Sequence, residues 1–338
     1  MMKSLGWNTL IAATGLICWA TTASAQEVTL IFATTNPSNA HLNVQVLHPW
    51  AQRINETGKG VIKIDVRDGP TLANHVNFYD RVTTDVVQIA WGLQNAIGGK
   101  FPLSEVAGLP FIADNAEEAA IAFWRLYKSG AMDAEYNDVV PLMLVSIAQS
   151  GVQLAKPPKS LDDLRGLKII TLTQLQSQLA LRLGATPISL PITDMYEAIQ
   201  RGTVDGAMVG WTAFQPFKLA EVTRTHVDTA LGTSTGMVFM SKKKYEALPA
   251  AAKKILDANA GEAQSRIFGA FWDRVAAETR NQIKALDKHA VAALTPEQAR
   301  QWQQKIAPVI EEWAKSRAGG EKVLEMYRAL LVKVKAGG

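Results

Sequence analysis

The residue types best suited to catalysis or metal binding are five scattered histidines and the segment Gly-Thr-Ser-Thr-Gly at 232–236. The histidines lack metal-ligand spacing, which favours structural or solvent-facing roles over a metal site. Ser234 is central to a pattern typical of nucleophilic serines, in which a strand precedes the serine and a helix follows. Here Met237–Met240 follow and are predicted to form a strand, so a secreted serine hydrolase using Ser234 is only an alternative. The histidines are His41, His48, His75, His226 and His289.

Residues 161–217 contain the elements that would position a binding site. Apolar runs bounded by glycine and proline predict strands, and Leu175, Leu179 and Leu183 form the apolar stripe of an amphipathic helix. The resulting βαβαβ order predicts a parallel sheet with helices on its faces. The predicted strand, helix, strand, helix and strand cover residues 164–170, 174–183, 186–191, 194–202 and 207–211.

The first half of the chain repeats this pattern, with apolar strands predicted at 28–36 and 61–67. The stretch 79–92 weakly echoes 196–211, and each ends close to a tryptophan, Trp91 or Trp211. The sequence therefore predicts two α/β lobes, with a ligand cleft beyond the carboxyl ends of their strands. From Leu248 the chain reads as helical for longer than a typical globular helix, which favours a helix that spans both lobes.

Residues 1–25 are predicted to be a signal peptide that is cleaved after Ala25, because Lys3 and a short apolar run precede Ala-Ser-Ala. Cys18, the only cysteine, falls inside it. The formal net charge of +4 is small and is mixed with acidic residues, which argues against nucleic acid as a partner. We expect an exported, periplasmic protein with no cofactor and no metal.

Several segments in their order and spacing resemble the solute-binding proteins of TRAP (tripartite ATP-independent periplasmic) transporters, in the dicarboxylate-receptor-like family. The resemblance covers nearly the whole mature chain. It implies a two-lobed periplasmic-binding-protein-like α/β fold, with a ligand cleft between the lobes and a long helix across both. The matching segments are VTLIFATTNP (28–37), FPLSEVAGLPF (101–111), GLKI (166–169), LGATP (183–187), YEAIQRGTVDG (196–206) and FKLAEV (217–222).

The predicted division assigns residues 26–148 and about 236–275 to the first lobe. Residues 149–235 and about 276–338 form the second lobe. The crossings near Gln149–Gly151 and Thr233–Gly236 are short, polar or glycine-containing, and we expect them to act as hinges.

The resemblance also implies a ligand site, from which this chain departs. In the family an arginine usually follows GLKI and pairs with a substrate carboxylate, which a planar guanidinium holds well. Here that position is Ile170. Val209 stands where an asparagine is common, and Gln149 and Ser150 stand where another basic residue can occur. A buried carboxylate without a partner is costly, so a simple dicarboxylate is not expected as the ligand.

The alternative is a mostly apolar, aromatic pocket with a few polar contacts. Trp91, Trp211 and Phe214 would supply the aromatic surface. The predicted ligand-binding residues are Thr35, Asn74, His75, Asn77, Trp91, Gln149, Ser150, Ile170, Val209, Trp211 and Phe214.

The sequence thus predicts a periplasmic receptor that binds a small organic solute with an aromatic or otherwise apolar body. The resemblance implies that the solute is delivered to the membrane subunits of a TRAP permease. We expect a monomer with no catalytic residues. Besides the hydrolase, a sensory receptor for a two-component system stays open, because it would share this fold.

Overall fold

A computed structural model describes residues 27–160 and 164–338. The predicted signal peptide, its cleavage site and Cys18 lie outside the described residues.

Eleven strands in the described ranges form two sheets. The first sheet has the order β2-β1-β3-β10-β4 and the second has the order β11-β9-β5-β8-β6-β7. We call each sheet with its covering helices a lobe. The strands are β1 (Val28–Ala33), β2 (Ile62–Arg67), β3 (Ile89–Leu93), β4 (Val139–Ser146), β5 (Gly151–Leu154), β6 (Lys168–Thr171), β7 (Thr186–Ser189), β8 (Gly206–Val209), β9 (Thr225–Asp228), β10 (Thr235–Ser241) and β11 (Ala290–Ala293).

Helices cover both faces of the first sheet and pack on the second. A π-helical turn at Asn43–Leu47 precedes the first α-helix, and short 3₁₀ turns occur at several strand ends. The α-helices are α1 (His48–Thr57), α2 (Phe78–Thr83), α3 (Ala116–Lys128), α4 (Gln174–Arg182), α5 (Met195–Gln200), α6 (Leu219–Val222), α7 (Lys242–Ala247), α8 (Ala250–Ala258), α9 (Glu262–Lys284), α10 (Pro296–Lys315) and α11 (Gly320–Lys335).

The βαβαβ prediction for the second lobe is confirmed. Strand β6 pairs in parallel with both β7 and β8, and α4 and α5 connect them. Gly184 has φ of +87° just after α4, where a helix end favours a left-handed residue. Because these strands are parallel, their carboxyl ends all lie at one edge of the sheet.

The long helical stretch that begins at Leu248 divides into two helices, α8 and α9, and α9 is the longer. Gly261 has φ of +92° and separates α8 from α9. Within α9, Phe268 and Phe271 are buried in the first-lobe core, whereas Ile283 is buried in the second. The prediction of a helix that spans both lobes is therefore confirmed. The sequence missed β11, which follows α9 and pairs with β9.

The C-terminal tail differs from the predicted division. Helix α10 packs on the second lobe through Trp302 and Ile306. Helix α11 returns to the first lobe, where Val323, Tyr327 and Leu331 are buried in the core beside α3. The tail thus contacts both lobes, because an amphipathic helix indicates that a face is buried but not which lobe buries it.

The two crossings between the lobes are hydrogen-bonded to each other. Ser150 N donates to Gly232 O and Leu231 N donates to Ser150 O, both at 2.9 Å. Ser234 directly precedes β10, so a strand rather than a helix follows it. The nucleophile-elbow geometry is therefore absent, as the sequence indicated.

Candidate functional site

At the carboxyl edge of the first sheet, a polar network joins the segments that follow β1 and β2. Asn43, fully buried, donates through Nδ2 to Thr34 Oγ1 and to Asp68 Oδ1, both at 2.8 Å. Asp68 Oδ1 also accepts from Thr34 Oγ1 at 2.9 Å and lies 3.0 Å from His48 Nε2. These groups satisfy one another, so the network fixes the shape of this edge and leaves few free polar atoms for a ligand.

Thr35 and Trp91 are neighbours, but they have different surroundings. Thr35 follows β1 at φ of +61°, and its Oγ1 donates to Trp91 O at 3.5 Å. The Trp91 ring is only 2 % exposed and packs 4.8 Å from the Phe268 ring in the first-lobe core. Because β3 extends to Leu93, Trp91 lies inside the strand rather than at its end. We therefore expect this ring mainly to stabilise the first-lobe core, and its contact with a ligand stays a prediction.

The loop after β2 contains three more of the predicted residues. Asn74 and Asn77 cap each other: Asn74 N donates to Asn77 Oδ1 at 2.8 Å and Asn77 N donates to Asn74 Oδ1 at 3.1 Å. His75 is exposed to solvent, yet desolvation by the surrounding protein lowers its pKa.

Gln149 and Ser150 lie in the crossing that leads to β5. Ser150 is buried, and its Oγ accepts from Gln176 Nε2 on α4 at 3.4 Å. Gln149 Oε1 is buried without a hydrogen-bond partner in the described residues. A buried acceptor of this kind carries a desolvation cost that a donor would offset.

The four predicted residues of the second lobe belong to one apolar cluster. Ile170 and Val209 lie on the same face of adjacent strands, and Trp211 and Phe214 follow the end of β8. The Trp211 and Phe214 rings are 5.0 Å apart. All four side chains are at most 5 % exposed. This aromatic cluster (Ile170, Val209, Trp211 and Phe214) contains no charged group.

A neutral histidine supports the aromatic cluster from β9. The His226 ring lies 5.4 Å from Trp211 and 5.3 Å from Phe214. Gln153 Nε2 donates to Val209 O, so Gln153 Oε1 must accept from His226 Nδ1. Desolvation, with smaller contributions from His289 and Arg224, lowers the pKa of His226 to about 4. The imidazole is therefore uncharged at neutral pH.

An ion pair that the sequence analysis missed fixes the orientation of Trp211. Trp211 Nε1 donates to Asp228 Oδ1 at 2.9 Å, and Arg280 Nη1 donates to Asp228 Oδ2 at 3.1 Å. Asp228 ends β9 and Arg280 is on α9, which are 52 residues apart in sequence. Only the position of Asp228 at the end of an apolar strand could have indicated that it reaches the cleft-facing edge.

Two surface grooves lie elsewhere. A groove of about 320 Å³ is bounded by Phe111, Ile306 and Ile310, and one of about 250 Å³ runs between α10 and α11. Neither includes a residue from the carboxyl edges of the sheets, where open α/β sheets bind ligands. We therefore regard the edges, and not these grooves, as the candidate site.

Comparison with known families decides the class of the protein. Residues 32–316 match the model of the bacterial extracellular solute-binding proteins, family 7. The chain belongs to this family. The match confirms the resemblance to TRAP solute-binding proteins that the sequence motifs indicated.

Three similar proteins match nearly the full chain. One from Rhodoferax ferrireducens, crystallised with copurified benzoate, is 28 % identical, covers 92 % of this chain and 100 % of its own, and has a TM-score of 0.82. A marine metagenome protein specific for aromatic acids, crystallised with 3-hydroxybenzoate, is 27 % identical over 91 % of this chain and 99 % of its own, with a TM-score of 0.83. The transporter protein TsaT of Comamonas testosteroni, described as an outer membrane protein, is 25 % identical over 91 % of this chain and 93 % of its own.

Membership identifies the chain as a receptor and not an enzyme, in agreement with the sequence analysis. TRAP solute-binding proteins are periplasmic, bind small organic ligands and work with TRAP permeases. The hydrolase and sensor alternatives gain no support.

No helix in residues 27–160 or 164–338 combines the length and the apolar character needed to cross a membrane.

Proposed function

We propose that this solute-binding protein captures an aromatic monocarboxylate of the benzoate class for a TRAP permease. The observation that carries the proposal is the environment of Ile170. Where the family usually has an arginine, Ile170 is fully buried in the aromatic cluster beside Val209 and Trp211. This surface suits a flat apolar body and offers no cation to the second carboxylate of a dicarboxylate.

The aromatic cluster would supply much of the affinity. Aromatic pairs contribute about 0.5–1.5 kcal/mol beyond area burial, and each buried Å² of apolar surface adds about 25 cal/mol. Trp211 and Phe214 would contact the ring of the ligand from the second lobe. Thr35, Asn74, His75, Asn77, Gln149 and Ser150 remain candidates for polar contacts from the first lobe and the crossing. The aromatic acids bound by the two similar receptors support this choice of ligand.

The proposal includes the cellular setting. Residues 1–25 would direct export and be removed after Ala25, leaving a periplasmic monomer of 313 residues (338 minus 25). Closure of the two lobes on the ligand, with the crossings as hinges, would present the loaded form to the permease.

The experiment is mass spectrometry of small molecules released by denaturing protein purified from its native periplasm. An aromatic acid should be recovered in a near one-to-one ratio with the protein. Recovery of a dicarboxylate such as succinate at that ratio would refute the proposed ligand class, and recovery of a chemically altered product would refute the receptor role.

A further inference from the structure

Position 170, where the family usually has an arginine, is an isoleucine in this receptor. Arg280 on α9 lies close to the aromatic cluster and supplies a cation there instead. We infer that Arg280 is the specificity-determining residue that pairs with the carboxylate of the ligand. The inference rests on the proposed function, because it assumes an aromatic acid as the ligand.

The topology places Arg280 at the cleft-facing edge of the second lobe. Strand β5 is antiparallel to both β8 and β9, so β8 and β9 end at the same edge. Trp211 follows β8, Asp228 ends β9, and Asp228 binds both Trp211 and Arg280. Ala276 and Ile283 pack on the aromatic cluster. Since residues four and three apart share a helix face, Arg280 lies on that same face of α9.

The guanidinium has capacity for a second anion. Its Nη1 donates to Asp228, whereas Nε and Nη2 have no hydrogen-bond partner among residues 27–160 and 164–338. The side chain is 45 % exposed, so an incoming ligand can reach it. A planar fork with free N–H groups suits a carboxylate, which can accept two parallel hydrogen bonds.

Arg224 and His226 are less suitable partners for a carboxylate. Arg224 precedes β9, at the opposite edge of the sheet, and its Nη1 donates to the carbonyl oxygens of Ala220 and Thr223. His226 is neutral at the pH of the periplasm, and its ring packs 5.4 Å from the Trp211 ring. The ion pair with Asp228 holds Arg280 in place, so a ligand would meet a guanidinium that is already oriented.

Calorimetric titration of the mature protein with benzoate and with benzamide tests the inference, because the two ligands differ mainly in charge. The unmodified protein should prefer benzoate. Arg280→Gln should weaken benzoate binding by about tenfold or more and leave benzamide within about twofold, since a hydrogen bond to a charged group is worth about that factor. Arg280→Lys should lose less affinity for benzoate than Arg280→Gln does, because lysine keeps the positive charge.

Arg274→Gln is the matched control. Arg274 is also on α9 and exposed, but its Nη2 donates to Gln45 of the first lobe. This variant should leave both affinities unchanged. If Arg280→Gln lost equal affinity for benzoate and for benzamide, or lost none, the role of Arg280 would be overturned while the proposed function stands. If neither ligand binds the unmodified protein, both proposals fall.

Discussion

The cleft-facing edges of the two lobes differ in chemistry although both are carboxyl edges of α/β sheets. In the first lobe, Asn43, Asp68 and Thr34 hydrogen-bond one another. In the second, Ile170 and Trp211 form an apolar surface that one ion pair borders. A self-satisfied polar network resists rearrangement, whereas an aromatic cluster without charged groups favours contact with an apolar ligand. We interpret the first edge as a fixed frame and the second as the surface that selects the ligand.

The strongest test of this comparison replaces Trp91 and Trp211, one at a time, by alanine. Trp91→Ala and Trp211→Ala should each lower the free energy of unfolding by about 3–5 kcal/mol, because both rings are almost fully buried. Only Trp211→Ala should also weaken benzoate binding, by at least about tenfold. Urea unfolding and calorimetry measure the two effects. An equal loss of affinity in Trp91→Ala would contradict the difference between the edges.

Acid should destabilise the second lobe through His226. Its folded-state pKa of about 4 lies below the unfolded value of 6.5, so the unfolded chain binds more protons between these limits. The contribution of neutral His226 to the free energy of unfolding is complete above pH 6.5. It is lost as pH falls towards 4, by up to about 3 kcal/mol. The pKa of His289 is lowered too, which adds in the same direction.

Melting temperatures across this pH range check the prediction, with His226→Gln as the comparison. Gln can keep a hydrogen bond to Gln153, so the variant should fold and show a shallower decline with acid. A decline as steep as that of the unmodified protein would show that other groups control the acid response.

In the first lobe, Asn43→Ala should reduce the free energy of unfolding by about 2 kcal/mol. The substitution removes two short hydrogen bonds and leaves Asp68 and Thr34 short of a donor in a buried setting. Gln52→Ala is the control, because that side chain is exposed and, among the described residues, hydrogen-bonds only Glu56. Urea titration should show a change within about 0.5 kcal/mol for Gln52→Ala. Equal effects would mean that the network does not stabilise this edge.

The smallest effect concerns Phe111, which joins the two lobes. Its φ is +57°, its N donates to Ala230 O, and its ring packs on the second-lobe core. A left-handed backbone costs a residue with a Cβ about 1 kcal/mol. Phe111→Gly should therefore be more stable than Phe111→Ala by about that amount, as measured by thermal unfolding. Greater stability of the alanine variant would show that the backbone is not strained there.

Local patterns were sufficient for much of the fold but not for the site. Apolar periodicity predicted β6 through β8, because neighbouring residues determine those elements. Trp91 is expected close to a strand end, but β3 continues to Leu93, so the ring lies within the strand and packs in the core. The return of α11 to the first lobe and the Asp228–Arg280 pair depend on contacts between distant parts of the chain, which a single sequence does not specify.

The most direct test of the central claim is calorimetric titration of the unmodified mature protein with benzoate and with succinate at pH 7. The aromatic cluster around Ile170 predicts saturable benzoate binding and at least about a hundredfold weaker binding of succinate, since the second carboxylate would meet apolar surface. Succinate binding as tight as that of benzoate would contradict the claim that the second lobe selects an aromatic ligand.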